Sequence, residues 1–211
     1  MSNVSVPAER PSVYLASKSA RRQELLRQVG VDFTQLLMRE APGRKRDIVE
    51  TPREDEPPLE YIQRVARTKA FVGWDVMGKR GLPPKPMMGA DTEVVHDGAV
   101  LGKPSDAAHA KEMLGRLSGH THEVSTAVAV RWNTQIIITV SSSRVTFRAL
   151  TDEEIDRYVA TSEPFDKAGA YAIQGRGAAF ISHLEGSYSG VMGLPLFETA
   201  EILAKIGFPV S

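Results

Sequence analysis

Val13-Tyr14-Leu15-Ala16 is a short apolar run bounded by Ser17 and Ser19, and it predicts a buried strand. Ser19 can cap a following helix through Leu25, Leu26 and Val29, with Gly30 as its stop signal. A second strand is expected over Phe33 to Met38. Residues 40–57, with a Pro-Gly turn, three consecutive cations and an acidic proline-bearing stretch, then read as one long, exposed, mobile loop. Leu59, Ile62, Val65, Ala66 and Ala70 recur at helical spacing and predict a helix to about Trp74, which the prolines and glycines of Gly78 to Pro86 should not extend.

Met87 to Val95 reads as a central strand. Asp97-Gly98 between Val94-Val95-His96 and Ala99-Val100-Leu101 is the signature of a type I′ hairpin. Pro104-Ser105-Asp106 should start a helix through Ala110, Met113, Leu114 and Leu117, ending at Gly119. Long strands rich in Val, Ile and Thr follow at His122 to Trp132 and Gln135 to Leu150. Thr151 and Glu154 form a capping box for a helix through Ile155, Tyr158 and Val159. Short strands or turns at Ala170 to Ile173 and Ala178 to Leu184 lead to a last helix over Pro195 to Ile206. The order is not strictly alternating, which favours an α/β fold with a mixed, twisted sheet and flanking helices.

Composition narrows the functional classes. At 211 residues, with 42% hydrophobic and 25% charged positions, the chain can bury a core, and disorder is excluded as its dominant state. Its 26 basic and 26 acidic residues cancel, so no global field recruits nucleic acid or a membrane. Absence of cysteine removes thiolate nucleophiles, disulfides and Cys-ligated metal sites, and accords with a reducing cytoplasm. No apolar run is long enough to span a bilayer. The first eleven residues carry Glu9 and Arg10 without an apolar stretch, and read as a short disordered arm rather than a secretory signal.

Ser17-Lys18-Ser19-Ala20-Arg21-Arg22 brings hydroxyls and guanidiniums to a helix N-terminus, where free N–H groups already favour an anion. This turn reads equally as a phosphate cradle and as a capped helix with both arginines in solvent. Gly89-Ala90-Asp91-Thr92 puts a carboxylate near the end of an apolar strand, where it can hold Mg²⁺ or orient water. A surface aspartate is the commoner reading of such a residue. Lys103 precedes a helix-starting proline, while Asp166-Lys167-Ala168-Gly169, Gln174-Gly175, Gly186-Ser187-Tyr188 and Gly193-Leu194-Pro195 set polar groups beside small residues. The five histidines lack ligand spacing, Ser187 lacks a nucleophile elbow, and Arg44-Lys45-Arg46 reads as a solvated loop.

Six segments, LASKSARRQELL (15–26), GADTEVV (89–95), LGKPSDAAHA (101–110), MLGRLSGHTHEVSTAVAV (113–130), EPFDKAGAYAIQG (163–175) and GSYSGVMGLPL (186–196), together resemble the Maf family of nucleoside triphosphate pyrophosphatases. The resemblance implies a single catalytic domain over 12–211, two lobes around a cleft related to the inosine triphosphatase-like architecture. It further implies a homodimer, a divalent metal (Mg²⁺, Mn²⁺ or Co²⁺), and hydrolysis of a nucleoside triphosphate to monophosphate and pyrophosphate. Carried over by motif, Asp91 is the proton acceptor, with Glu50, Lys69 and Lys103 catalytic and Asp91 and Glu50 as metal ligands. Ser17, Arg21 and Arg22 bind phosphate, Asp166 and Lys167 support, and Arg22, Thr92 and Gln174 set specificity. DKAGAYAIQG resembles the branch acting on dTTP and UTP, with modified pyrimidine triphosphates as related substrates. The alternative is a nucleotide-binding regulator of cell division or septum formation without catalysis. Ala20 stands where the family usually has proline, Lys18 where glycine is common, and the basic loop 39–47 is longer than usual.

Overall fold

A computed structural model describes residues 11–38, 48 and 50–210. Most of the expected N-terminal arm and the basic segment 39–47 lie outside them. Among the described residues, seven strands form one mixed sheet: β1 (Ser12–Leu15), β2 (Asp32–Gln35), β3 (Met87–His96), β4 (Ala99–Leu101), β5 (Thr121–Trp132), β6 (Gln135–Phe147) and β7 (Ile181–Glu185). Their order is β2-β1-β3-β5-β6-β7, with β4 on β3. Strand β1 runs parallel to β2 and β3, and every other pairing is antiparallel. Six α-helices among the same residues flank it: α1 (Ala20–Gln28), α2 (Pro58–Lys79), α3 (Ala107–Leu117), α4 (Asp152–Val159), α5 (Tyr188–Met192) and α6 (Leu196–Lys205). None is long and apolar enough to cross a membrane.

Local chemistry explains the boundaries. Ser19 Oγ accepts from Arg22 N to cap α1, Asp106 accepts from His109 N at α3, and the Thr151–Glu154 capping box opens α4. Asp97 and Gly98 both adopt positive φ (49° and 74°), as a type I′ hairpin requires. Helix α2 runs five residues beyond Trp74, through Gly78 to Lys79, because Met77 packs with Tyr14 and Met87. That burial outweighs the ~1 kcal/mol cost of a glycine in a helix. Strand β2 ends at Gln35 and β6 at Phe147, where Arg148 N turns to Phe180 O (2.8 Å). Helix α5, only five residues long with a glycine inside it, left no periodicity to read; Ser187 Oγ caps it at Gly190 N (3.0 Å).

Alternation along β5 sends Ala127 and Ala129 toward Ile62, Val65 and Ala66 of α2, and Val128 and Val130 toward Leu25 of α1 and Leu203 of α6. Phe147, Tyr158, Tyr171 and Phe180 fill a further cluster with α3 and α4. The decisive irregularity is on β3. Its β5 edge is paired throughout, but on the other edge β1 pairs only Met87 and Met88, and β4 only Val94 to His96. Among the described residues, no strand meets that edge from Gly89 to Glu93.

Opposite this opening α2 lies directly on β3. A Cβ at Gly89 would overlap Ala66 O and come within 2.7 Å of Lys69 Cβ, and one at Gly73 would come within 2.6 Å of Met87 Sδ. Gly89→Ala is therefore expected to cost ~1–3 kcal/mol as overpacking, read as a lowered urea midpoint with an unchanged slope. A second prediction concerns acid. His122 lies buried between Phe147 and Tyr171, with Nε2 2.9 Å from the Tyr171 hydroxyl. Burial, and secondarily His96, pushes it down from 6.5 to about 4. Above pH 6.5 both states are neutral; between 6.5 and 4 only the unfolded chain takes up the proton. Stability should thus fall by up to ~3 kcal/mol as pH drops through that window, and urea titrations of His122→Leu should lack this component.

Candidate active site

All eleven side chains singled out by motif line one cleft of about 980 Å³ at the open edge of β3. Alternation deals them to two faces. Asp91 and Glu93 follow Gly89 on the face covered by α2; Thr92 points to the α1 side, where Arg22 meets it. Because no strand closes this edge, groups from both faces reach the same space.

On the α2 side Lys69, 7% exposed, is the centre. Its Nζ donates to Asp91 Oδ1 at 2.8 Å and to Ala90 O at 3.4 Å, and lies 3.2 Å from Glu50 Oε1. Glu50 is held there by α2: the Tyr61 hydroxyl donates to Glu50 O (3.1 Å), while Arg64 reaches Thr51 O and both oxygens of Glu56. Read as part of a mobile loop, the stretch after Glu50 is instead pinned to the helix by these bonds. Asp91 Oδ2 and Glu93 Oε2 are buried without a hydrogen-bond partner. Burial, then the charge of Asp91, pushes Glu93 up to about 8, against the opposing pull of Lys103 and Lys69.

On the α1 side the hydrogen-bond directions are determined. Thr126 Oγ1 donates to Gly190 O (2.7 Å), so in its 2.8 Å contact with Thr92 Oγ1 it must accept. Thr92 Oγ1 in turn accepts from Arg22 (3.1 Å), leaving it only acceptor capacity toward a ligand. Arg22 also donates to Gly193 O (2.8 Å) and Ser17 Oγ (3.2 Å). Ser17 Oγ accepts a further bond from Ser19 N (3.2 Å), so both lone pairs are used and its proton remains to donate, as an anion requires. Burial pulls Arg22 below its ordinary pKa, an effect that Asp91 and Glu50 oppose. Arg21 faces the cleft from the first turn of α1.

The remaining residues form the rim. Lys103 sits between β4 and α3; Lys167 donates to Asp166 Oδ1 (2.9 Å) in a turn tied to β4 by Gly169 N to Gly102 O (3.2 Å). Gln174 is exposed on the next loop. Sequence reasoning missed Glu93 and Thr126. Glu93 was legible in principle, being two residues from Asp91 on a strand and so on its face; Thr126 reads as an ordinary strand threonine.

The family model described as Maf-like protein matches residues 12–206. The chain belongs to the Maf family. It is 56% identical to the dTTP/UTP pyrophosphatase of Nitrosospira multiformis, over 92% of this chain and 93% of that one. With the protein of the same name from Nitrosomonas europaea it shares 52% (94% and 96% covered), and with that of Bordetella parapertussis 47% over the whole of both chains. The Staphylococcus aureus Ham1 structure matches with a TM-score of 0.40 at 9% identity, over 64% of this chain and 71% of that one, too slight to bear on the fold.

The donor set of this Maf protein fits a hard divalent cation. Two buried carboxylate oxygens, Asp91 Oδ2 and Glu93 Oε2, have no partner, and Glu50 stands across Lys69. Among the described residues no group of three acids or histidines forms a complete cage. Such a set suits Mg²⁺, which is usually held by one or two carboxylates together with water and substrate phosphates. Lys69 meanwhile holds the carboxylates together. Lys69→Met should destabilise the Maf fold by ~3 kcal/mol at pH 7, since removing one partner strands a buried charge; thermal or urea unfolding would register it.

Proposed function

We propose that this protein hydrolyses dTTP and UTP to the monophosphate and pyrophosphate, modified pyrimidine triphosphates included, as a cytoplasmic house-cleaning enzyme. The reading extends to one two-lobed catalytic domain, acting as a homodimer without nucleic acid or membrane. The relatives' shared name supports the substrate class. The observation that carries the chemistry is the buried Lys69–Asp91 pair, whose Asp91 Oδ2 stands unpartnered beside the Ser17–Arg22 turn.

In this reading Ser17 donates its free proton to a phosphate oxygen, and Arg21, Lys103 and Lys167 neutralise the triphosphate along its length. Lys69 holds Asp91 Oδ1, which leaves Oδ2 to take a proton from the attacking water. The water oxygen bonds to the α-phosphorus as the bond to the α–β bridging oxygen breaks, and pyrophosphate departs. Asp91, Glu93 and Glu50 would supply the oxygen donors for a divalent cation, Mg²⁺ or its Mn²⁺ and Co²⁺ substitutes. When bound, that cation supplies charge neutralisation on the phosphates and the leaving group. Arg22 and Thr92 shape the inner wall, and the Gln174 amide both accepts from N3–H and donates to O4 of a uracil or thymine edge.

A panel of triphosphates assayed with Mg²⁺ for pyrophosphate release tests this. The expected result is turnover of dTTP and UTP well above purine triphosphates. Asp91→Asn should lower kcat by ~10²–10⁴ without loss of fold, and Gln174→Ala should relax base preference. Tight nucleotide binding with no turnover in any of the three metals would refute the enzyme and favour the regulator.

A further inference from the structure

Behind Gln174, outside the cleft lining, sits a carboxylate that the chemistry leaves unused. Glu163 follows α4, and its position is set from both sides: its N–H donates to Thr161 Oγ1 (3.2 Å), and Thr161 Oγ1 donates to Tyr158 O (2.7 Å) at the helix end. Its carboxylate takes three bonds. Tyr158 Oη donates to Oε1 (2.8 Å), Gly177 N to Oε1 (3.1 Å) and Arg176 N to Oε2 (3.1 Å). Tyr158 Oη also accepts from Ala172 N (3.2 Å). The main chain is therefore fastened two residues before Gln174 and again two and three residues after it. Burial pushes Glu163 up, but the Arg176 and Gly177 N–H groups and the Tyr158 hydroxyl bring it net below the ordinary carboxylate value.

The flanking sequence is shaped to this carboxylate. A Cβ at Gly175 would overlap the Glu163 carboxyl group, and one at Gly177 would lie 2.9 Å from Tyr158 Oη and from Ala172 O. Both glycines are places where the loop backbone must come too close for a side chain. A loop tip with an exposed amide would ordinarily sample many orientations; here the amide is mounted on a backbone with three of its neighbouring N–H groups committed to one acceptor network. We infer that Glu163, with Tyr158 as its strut, is a positioning residue that presents the Gln174 amide to the pyrimidine edge and so sets base discrimination from behind the loop. This rests on the base-reading role of Gln174 proposed above.

The test compares kcat and KM for UTP and CTP, and the inhibition constant of inorganic triphosphate as a probe without a base, in the full-length wild type, Glu163→Gln, Tyr158→Phe and Gln174→Ala, and in Glu163→Gln combined with Gln174→Ala. Expected for Glu163→Gln is a roughly tenfold loss of UTP-over-CTP preference, carried by KM with kcat nearly unchanged. The triphosphate inhibition constant should not move, and the double variant should be no worse than Gln174→Ala alone. Tyr158→Phe should shift preference the same way by less, and it keeps the inference testable if Glu163→Gln folds poorly. Retained preference in both Glu163→Gln and Tyr158→Phe, where Gln174→Ala loses it, would overturn the inference. So would a parallel rise in UTP KM and triphosphate inhibition constant, which marks general loosening. If Gln174→Ala keeps the wild-type preference, the base-reading role is itself wrong and the inference falls with it.

Discussion

Contact between α2 and β3 at Gly89, with no side chain interposed, sets the distances on which the site depends. The glycine lets the Ala66–Ala70 turn of the helix lie on the strand, and the next strand residue on that face is Asp91. Lys69 is thereby carried to the carboxylate with its stem inside the core and its ammonium at the cleft. Gly73 opposite Met87 repeats the close approach nearer the start of the strand, so the helix is seated at two points rather than pivoting on one. Small residues on β5, Ala127 and Ala129, continue the same shallow trough. A buried lysine between two carboxylates is tolerable only where all three are held in register, and this packing does so.

The second organising fact is the unpaired run on β3. An edge with free backbone groups in mid-sheet is normally a liability, yet Lys69 takes the Ala90 carbonyl and the polar lining of the cleft surrounds the rest. Strand alternation would ordinarily keep Asp91 and Thr92 on opposite sides of a sheet, facing different compartments. With no neighbour on this edge, a ligand lying along it touches both. The carboxylates of the α2 face and the Ser17–Arg22 turn of the α1 face thus meet without any loop having to bridge them.

Most of the architecture was legible because its local signals agreed with its packing. Ser19, Asp106, Thr151 with Glu154, and Asp97-Gly98 each mark a boundary by a hydrogen bond or a positive φ that few other residues supply. What escaped were elements whose cause is tertiary. The extra turn of α2 exists for Met77's contact with Tyr14 and Met87, and α5 is too short to show a period. Among the cleft and its supports, the motif residues were recognisable by resemblance, whereas Glu93, Thr126 and Glu163 owe their places to bond directions and neighbours that spacing does not encode. Lys69 offered an intermediate case: it falls on the apolar stripe of its own helix, where a charge has to have a reason.

The capped end of α4 has a consequence for how such a protein can change. The reacting centre is built on the interior of a strand and a long helix, and any displacement there is shared with the core. Gln174 stands on a separate mount, its flanking main chain tied to the end of α4 through the Tyr158 hydroxyl and the Glu163 carboxylate, while Ile173 beside it packs into the core. The hydrogen bonds of that mount share no partner with those that hold Lys69 and Asp91. On the base-reading role proposed for Gln174, selectivity and reactivity are separately adjustable, and a chain of this design can drift toward new bases without first surrendering its ability to cleave a triphosphate.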